Sequence, residues 1–237
     1  MHQVRSQILL LLRVLWDLIK GLYGFRLDGR CVTVFGSARL TDQNAPLYQI
    51  AHAIGVTLGR NGFTIMTGGG PGLMEAVSKG VREAGGRCVG CRIQLTLKQA
   101  ENRYLDRGVT FRYFFVRKVM LLRHSNALVV LPGGLGTLDE VFEVLTLIQT
   151  RKISPVPIAF VGKSYWQPVL NVLRQMVIAG TIRSAEMSHV MSRVLLTDDV
   201  DEILEHLKAN FNQSSNLTSG RESSSGRHSE SATATNA

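Results

Sequence analysis

Apolar residues recur along this chain in short runs rich in β-branched side chains, and these runs alternate with longer stretches of helical period. The alternation predicts strands over 31–35, 63–66, 88–93, 127–131, 156–161 and 190–196. Between them it predicts helices over 46–60, 73–84, 114–125, 138–149, 165–179 and 199–209, while 94–110 is polar and irregular. The strands are apolar at successive positions, which is the pattern of strands buried on both faces. An α/β architecture follows, with a parallel sheet covered by helices on both sides.

Three segments follow from the same pattern. Residues 1–27 form an N-terminal amphipathic helix, 28–210 the α/β domain, and 211–237 a tail of Ser, Thr, Asn and Gly expected to be disordered. In the first segment Arg13, Asp17 and Lys20 follow the apolar run 8–12 at helical spacing and form a polar stripe. Such a helix is too interrupted to span a bilayer and is expected to pack on the domain or on a partner subunit. No small-residue cleavage site follows it, so secretion is not expected.

Composition sharpens this picture in two ways. The formal net charge is +9, and residues 82–123 hold ten Lys/Arg against three Asp/Glu, a net of +7. Such a stretch suits an acidic ligand. Nucleic acid is the weaker choice, because no DNA-reading motif is present and a basic cleft suits any phosphate. There are three cysteines, which argues against a disulfide framework and for a reducing, cytoplasmic setting. Cys88 and Cys91 form a CxxC, but residues three apart on a strand point to opposite faces, so buried thiols are expected and no metal site.

The candidate chemistry lies in three glycine-bearing loops at predicted strand ends: 36–39, 67–72 and 132–137. Ligands of doubly wound sheets sit outside the carboxyl ends of the strands. Helix N-termini with glycines nearby suit phosphate, because free N–H groups point at the anion and no Cβ stands in the way. The triphosphate loop G-x-x-x-x-G-K-[ST] is absent, and the run 134–139 lacks the third glycine of a dinucleotide fingerprint. A smaller phosphorylated ligand remains. A purely structural account exists too: Thr137 with Glu140 spells a capping box, and Glu75 complements a helix dipole.

Thr67-Gly68-Gly69-Gly70-Pro71-Gly72-Leu73-Met74-Glu75-Ala76, then Tyr113-Phe114-Phe115-Val116-Arg117-Lys118, then Pro132-Gly133-Gly134-Leu135-Gly136-Thr137-Leu138-Asp139-Glu140 occur in the order of one family. From about residue 28 to 207 the chain resembles the LOG (Lonely Guy) family of cytokinin riboside 5′-monophosphate phosphoribohydrolases, many once labelled lysine decarboxylases. The second loop looks like that of bacterial members that cleave AMP and related monophosphates. The resemblance implies a Rossmann-like doubly wound fold and a homodimer or higher homo-oligomer. It implies hydrolysis of a nucleoside 5′-monophosphate to free base and ribose 5-phosphate, with no metal or other cofactor and no stable membrane insertion. Arg117 and Glu140 would be the catalytic pair. Ser37, Gly70, Gly72, Lys118, Gly133, Gly134, Gly136 and Thr137 would hold the nucleotide, mainly through its phosphate, and Glu75 would lie near ribose or base. Relatives commonly carry Glu-Leu-Pro where this chain has Gln94-Leu95-Thr96. A carrier of the same fold, holding a nucleotide-like ligand such as a molybdenum cofactor without hydrolysis, is the alternative, and it would not need the Arg117–Glu140 pair.

Overall fold

Val, Ile, Thr and Cys crowd the strands, and almost every strand residue of the sheet centre is buried on both faces. Such strands form a stable sheet only when helices cover both sides. The structure is a computed structural model and describes residues 2–25, 27, 29–96, 100 and 102–219. Along the chain run α1 (His2–Gly24), β1 (Cys31–Phe35), α2 (Pro46–Arg60), β2 (Thr64–Thr67), α3 (Leu73–Glu83), β3 (Arg87–Ile93) and β4 (Arg107–Phe111). They are followed by α4 (Phe114–His124), β5 (Ala127–Val130), α5 (Leu135–Gln149), β6 (Ile158–Phe160), α6 (Lys163–Ile178), α7 (Ser184–Met191), β7 (Val194–Leu196) and α8 (Val200–Ser219).

The seven strands form one sheet in the order β4-β3-β2-β1-β5-β6-β7. Every pairing is parallel. The chain winds outward one way from β1 and then the other way from β5, so the switch point lies between these two strands. Two apolar layers flank the sheet. One is built on α1, α4, α5, α6 and α7 and holds Phe25, Phe111, Met120, Val144 and Trp166. The other is built on α2, α3 and α8 and holds Ile54, Leu58, Val77, Val81 and Ile203. Within the second layer α2 and α3 meet backbone to backbone. A Cβ on Gly55 would collide with the Val77 carbonyl, and one on Gly80 with that of His52.

Several boundaries differ from those read in the sequence. β4 lies inside the stretch expected to be irregular. It is an edge strand whose burial alternates, and its Arg107 and Gly108 break the apolar run. α5 begins at Leu135, not at 138, with Gly134 as its N-cap. Thr137 therefore sits inside the helix, and the Thr137/Glu140 capping box does not form. The predicted strand 190–196 divides into the end of α7 and a three-residue β7. α8 continues to Ser219, beyond the expected end at 209 and into the predicted tail; the remainder of that tail, 220–237, lies outside the described residues.

Of the polar stripe of α1, Asp17 and Lys20 face the protein, whereas Arg13 is exposed. Asp17 is buried, pairs with Lys20 at 2.8 Å and accepts the Arg112 N–H at 2.7 Å. Lys20 also donates to the Thr110 carbonyl at 2.6 Å. Among the described residues no helix is long and apolar enough to cross a membrane.

Candidate functional site

All three glycine-bearing loops meet at the carboxyl end of the sheet, and Ser37 ties them together. Its N–H donates to the Pro132 carbonyl and its carbonyl accepts the Leu73 N–H, both at 3.0 Å. Its hydroxyl accepts the Arg39 N–H at 3.1 Å. Gly72 has φ +71 and leaves the space into which Ser37 and Ala38 pack, so both its backbone angle and its neighbours require glycine.

The third loop leaves β5 at the switch point and turns into α5. Pro132, Gly133 and Thr137 are buried, whereas Gly134, Leu135 and Gly136 are exposed. Open space lies where a Cβ would stand on Gly134 and on Gly136. The first N–H groups of a helix have no intrahelical partner and carry partial positive charge. This helix start is therefore a bare, unobstructed donor surface. The Thr137 hydroxyl occupies the space that a Cβ on Gly133 would need. The Gly133 carbonyl is held from outside by the Tyr165 hydroxyl at the start of α6. The amide group is planar and trans, so pinning that carbonyl points the Gly134 N–H the opposite way.

One turn further along α5, Glu140 is only 3% exposed. Its Oε1 lies 3.4 Å from Arg117 Nη1 of α4. Its Oε2 is buried without a hydrogen-bond partner. Burial pushes its carboxyl up to about 7; Arg117 and Lys118 pull it down, and Glu143 and Asp139 push it further up. An unpartnered buried acceptor is uncommon and calls for an explanation. Arg117 is fixed from three sides: Nε donates to the Cys91 carbonyl of β3 at 2.9 Å, Nη1 faces Glu140, and Nη2 lies against Gly68. A Cβ on Gly68 would stand 2.7 Å from that Nη2, so the glycine admits the guanidinium to the second loop.

The other predicted residues divide. Lys118 is held between Asp139 and Glu143 of α5, at 3.0 and 2.8 Å. Gly70 accepts a long hydrogen bond, 3.4 Å, from the buried Asn102 side chain, which also donates to Ser78. Glu75 is half-buried in the first turn of α3, in the other helical layer, within electrostatic reach of Tyr48 and Arg103. Four contributors escaped sequence reasoning: Tyr165, Asn102, the Cys91 carbonyl, and Arg92, whose buried Nε has no partner beside Gly69. None had a local signal, because each acts across tens of residues of chain. All three cysteines are buried thiols. Cys88 and Cys91 belong to opposite faces of the sheet, as their spacing implied. Among the described residues no three His, Cys, Asp or Glu side chains gather as a metal site.

Residues 74–207 match the family model described as possible lysine decarboxylase. The chain is similar to a cytokinin riboside 5′-monophosphate phosphoribohydrolase of Rhodococcoides fascians, 26% identical over 73% of this chain and 86% of that protein. It is similar to a protein of the same name from Mycobacterium tuberculosis, 33% identical over 48% of this chain and 62% of that protein. Among solved structures, TM1055 shares 27% identity, with a TM-score of 0.57 over 76% of this chain and 99% of that one. The molybdenum cofactor binding protein of Rippkaea orientalis shares the fold at 21% identity, with a TM-score of 0.54 over 77% and 98%.

Proposed function

The chain belongs to the family described as possible lysine decarboxylase, and we propose that within it this protein is a phosphoribohydrolase, cleaving the N-glycosidic bond of a nucleoside 5′-monophosphate. The observation that carries this is the buried Glu140, with one oxygen facing Arg117 and the other unpartnered, one turn from the bare start of α5. The phosphate sits on the N–H groups of Gly134, Leu135 and Gly136, with the Gly70–Gly72 and Ser37 loops beside it. That anchor brings the ribose towards Glu140. Breaking the bond from the anomeric carbon to the base nitrogen builds oxocarbenium character on the ribose, as in glycoside hydrolysis. The Glu140 carboxylate stabilises that charge and takes a proton from the attacking water, whose oxygen bonds the anomeric carbon; the base leaves with a proton. Arg117 holds Glu140 in place and favours its ionised form.

The names of the relatives support this reaction class and suggest a cytokinin riboside 5′-monophosphate as substrate, while the form of the second glycine loop makes plain AMP the other candidate. The reading also includes a homodimer and a cytoplasmic setting. Decarboxylation of lysine fits poorly. A Schiff-base lysine must shed its charge, whereas Lys118 is kept protonated between two carboxylates.

Purified protein is incubated with AMP and with isopentenyladenosine 5′-monophosphate, and free base is resolved by chromatography, with Glu140→Gln alongside. Base release that falls by about 10²–10⁴ in the variant is expected. Folded protein that releases base from neither substrate would instead favour a non-hydrolytic carrier and sink this reading.

A further inference from the structure

Two guanidinium groups are set against the second glycine loop, and only one has been given a task. Arg92 stands half-buried near the carboxyl end of β3, one strand beyond the β2 that carries this loop. A Cβ on Gly69 would stand 2.6 Å from its Cγ, and one on Gly108 would stand 3.1 Å from its Cζ. Gly68 thus admits Arg117 and Gly69 admits Arg92, so consecutive residues of one turn each yield to an arginine. The cations differ in what answers them. Arg117 faces Glu140, and Lys118 faces Asp139 and Glu143. Arg92 has no such partner among the described residues, and its Nε is buried with nothing to accept its hydrogen bond. Arginine only donates, and a buried donor left unmet is uncommon, so an acceptor brought by a ligand is the explanation that fits.

The strand order indicates which part of the ligand supplies it. The phosphate of the reading above lies at the end of β5. Arg117, beside Glu140, marks the anomeric carbon and reaches the Gly68 turn after β2. Arg92 lies beyond that turn, three strand spacings or about 14 Å from β5. The part of a nucleoside monophosphate that extends past the anomeric carbon, away from the phosphate, is the base. We propose that Arg92 reads the base and selects purines that carry an oxygen at position 6, guanine or hypoxanthine. Arginine pairs as a fork with O6 and N7 of guanine, and hypoxanthine has the same two acceptors. Adenine carries an amino group at position 6, which sets donor against donor, and so does the substituted adenine of a cytokinin. The substrate class is then a 6-oxopurine nucleoside 5′-monophosphate, cleaved in preference to AMP. This inference rests on the phosphoribohydrolase reading, which fixes the direction in which the nucleotide lies.

Equimolar GMP, IMP and AMP compete in one incubation with the full chain, and the released bases are resolved by chromatography, so their ratios read relative kcat/KM. GMP and IMP should each exceed AMP by roughly ten- to a hundredfold. Arg92→Gln replaces the fork by an amide, which pairs with N6 and N7 of adenine, and should turn the ratio towards AMP. Arg92→Met keeps the stem that packs on Gly69 and should bring the three substrates closer to equal. A gain of AMP over GMP does not come from unfolding, which lowers all three alike. A parent that prefers AMP would overturn the proposal. So would variants that lower all three in proportion, as the loss of a phosphate or ribose contact does. If no base is released from any of them, the reaction reading fails, and calorimetric titration with GMP and AMP decides this one. GMP held more tightly than AMP by the parent, but not by Arg92→Gln, upholds it; equal affinities overturn it.

Discussion

Glu140 works against its own burial. Removing a carboxylate from water disfavours its charge, and only Arg117 and Lys118 oppose that, so the group titrates near 7 instead of in the usual carboxylate range. The sign of the resulting pH dependence follows. If the ionised form is the active one, kcat/KM is low in acid, climbs through about 7 and levels above it. Arg117→Met removes the strongest charge holding the carboxyl down, so the limb should move to higher pH. A second limb near about 6, from the substrate phosphate, should stay where it is. A pH–rate profile of both proteins checks this, and a limb that ignores Arg117 would detach the pair from the chemistry. The sequence identified Arg117 and Glu140 through their motifs. It could not show that one carboxylate oxygen is left unpartnered, which depends on how β3, α4 and α5 pack.

At the scale of elements, the loop after β5 is set by a helix distant in sequence. α6 sends Tyr165 back to the Gly133 carbonyl, and the peptide plane converts that contact into an orientation of the Gly134 N–H. Tyr165→Phe removes a bond of about 0.5–1.5 kcal/mol. The expected result is a KM for the monophosphate raised several-fold with kcat nearly unchanged, read from initial rates. An equal fall in kcat would mean that the tyrosine does more than aim the loop. What the sequence showed of the elements depended on how each is buried. Central strands such as β1 and β5 were legible because both faces are apolar. The edge strand β4 was not, because its Gly108 and Thr110 face is exposed and Arg107 breaks the apolar run of the opposite face. The start of α5 was misplaced because a run of glycines reads as loop, yet here Gly136 lies within the helix so that the backbone stays uncovered.

For the whole molecule, one sheet serves two apolar layers, and a thiol stands guard in each. Cys31 and Cys91 lie in one and Cys88 in the other. If the layers open together, a chromogenic disulfide reagent should find no reactive thiol in the native protein and three in denaturant. All three should appear with a single rate during unfolding. Two separate rates would show that the layers come apart independently. The contact of α2 with α3 has its own consequence. Because Gly55 and Gly80 let the two backbones touch, α3 has little room to slide or tilt, and the Thr67–Gly72 turn that feeds it is braced by a helix that itself cannot give. A ligand arriving there meets a cradle already in its final shape. Association should therefore cost little conformational freedom, and its rate should be governed by encounter rather than by rearrangement.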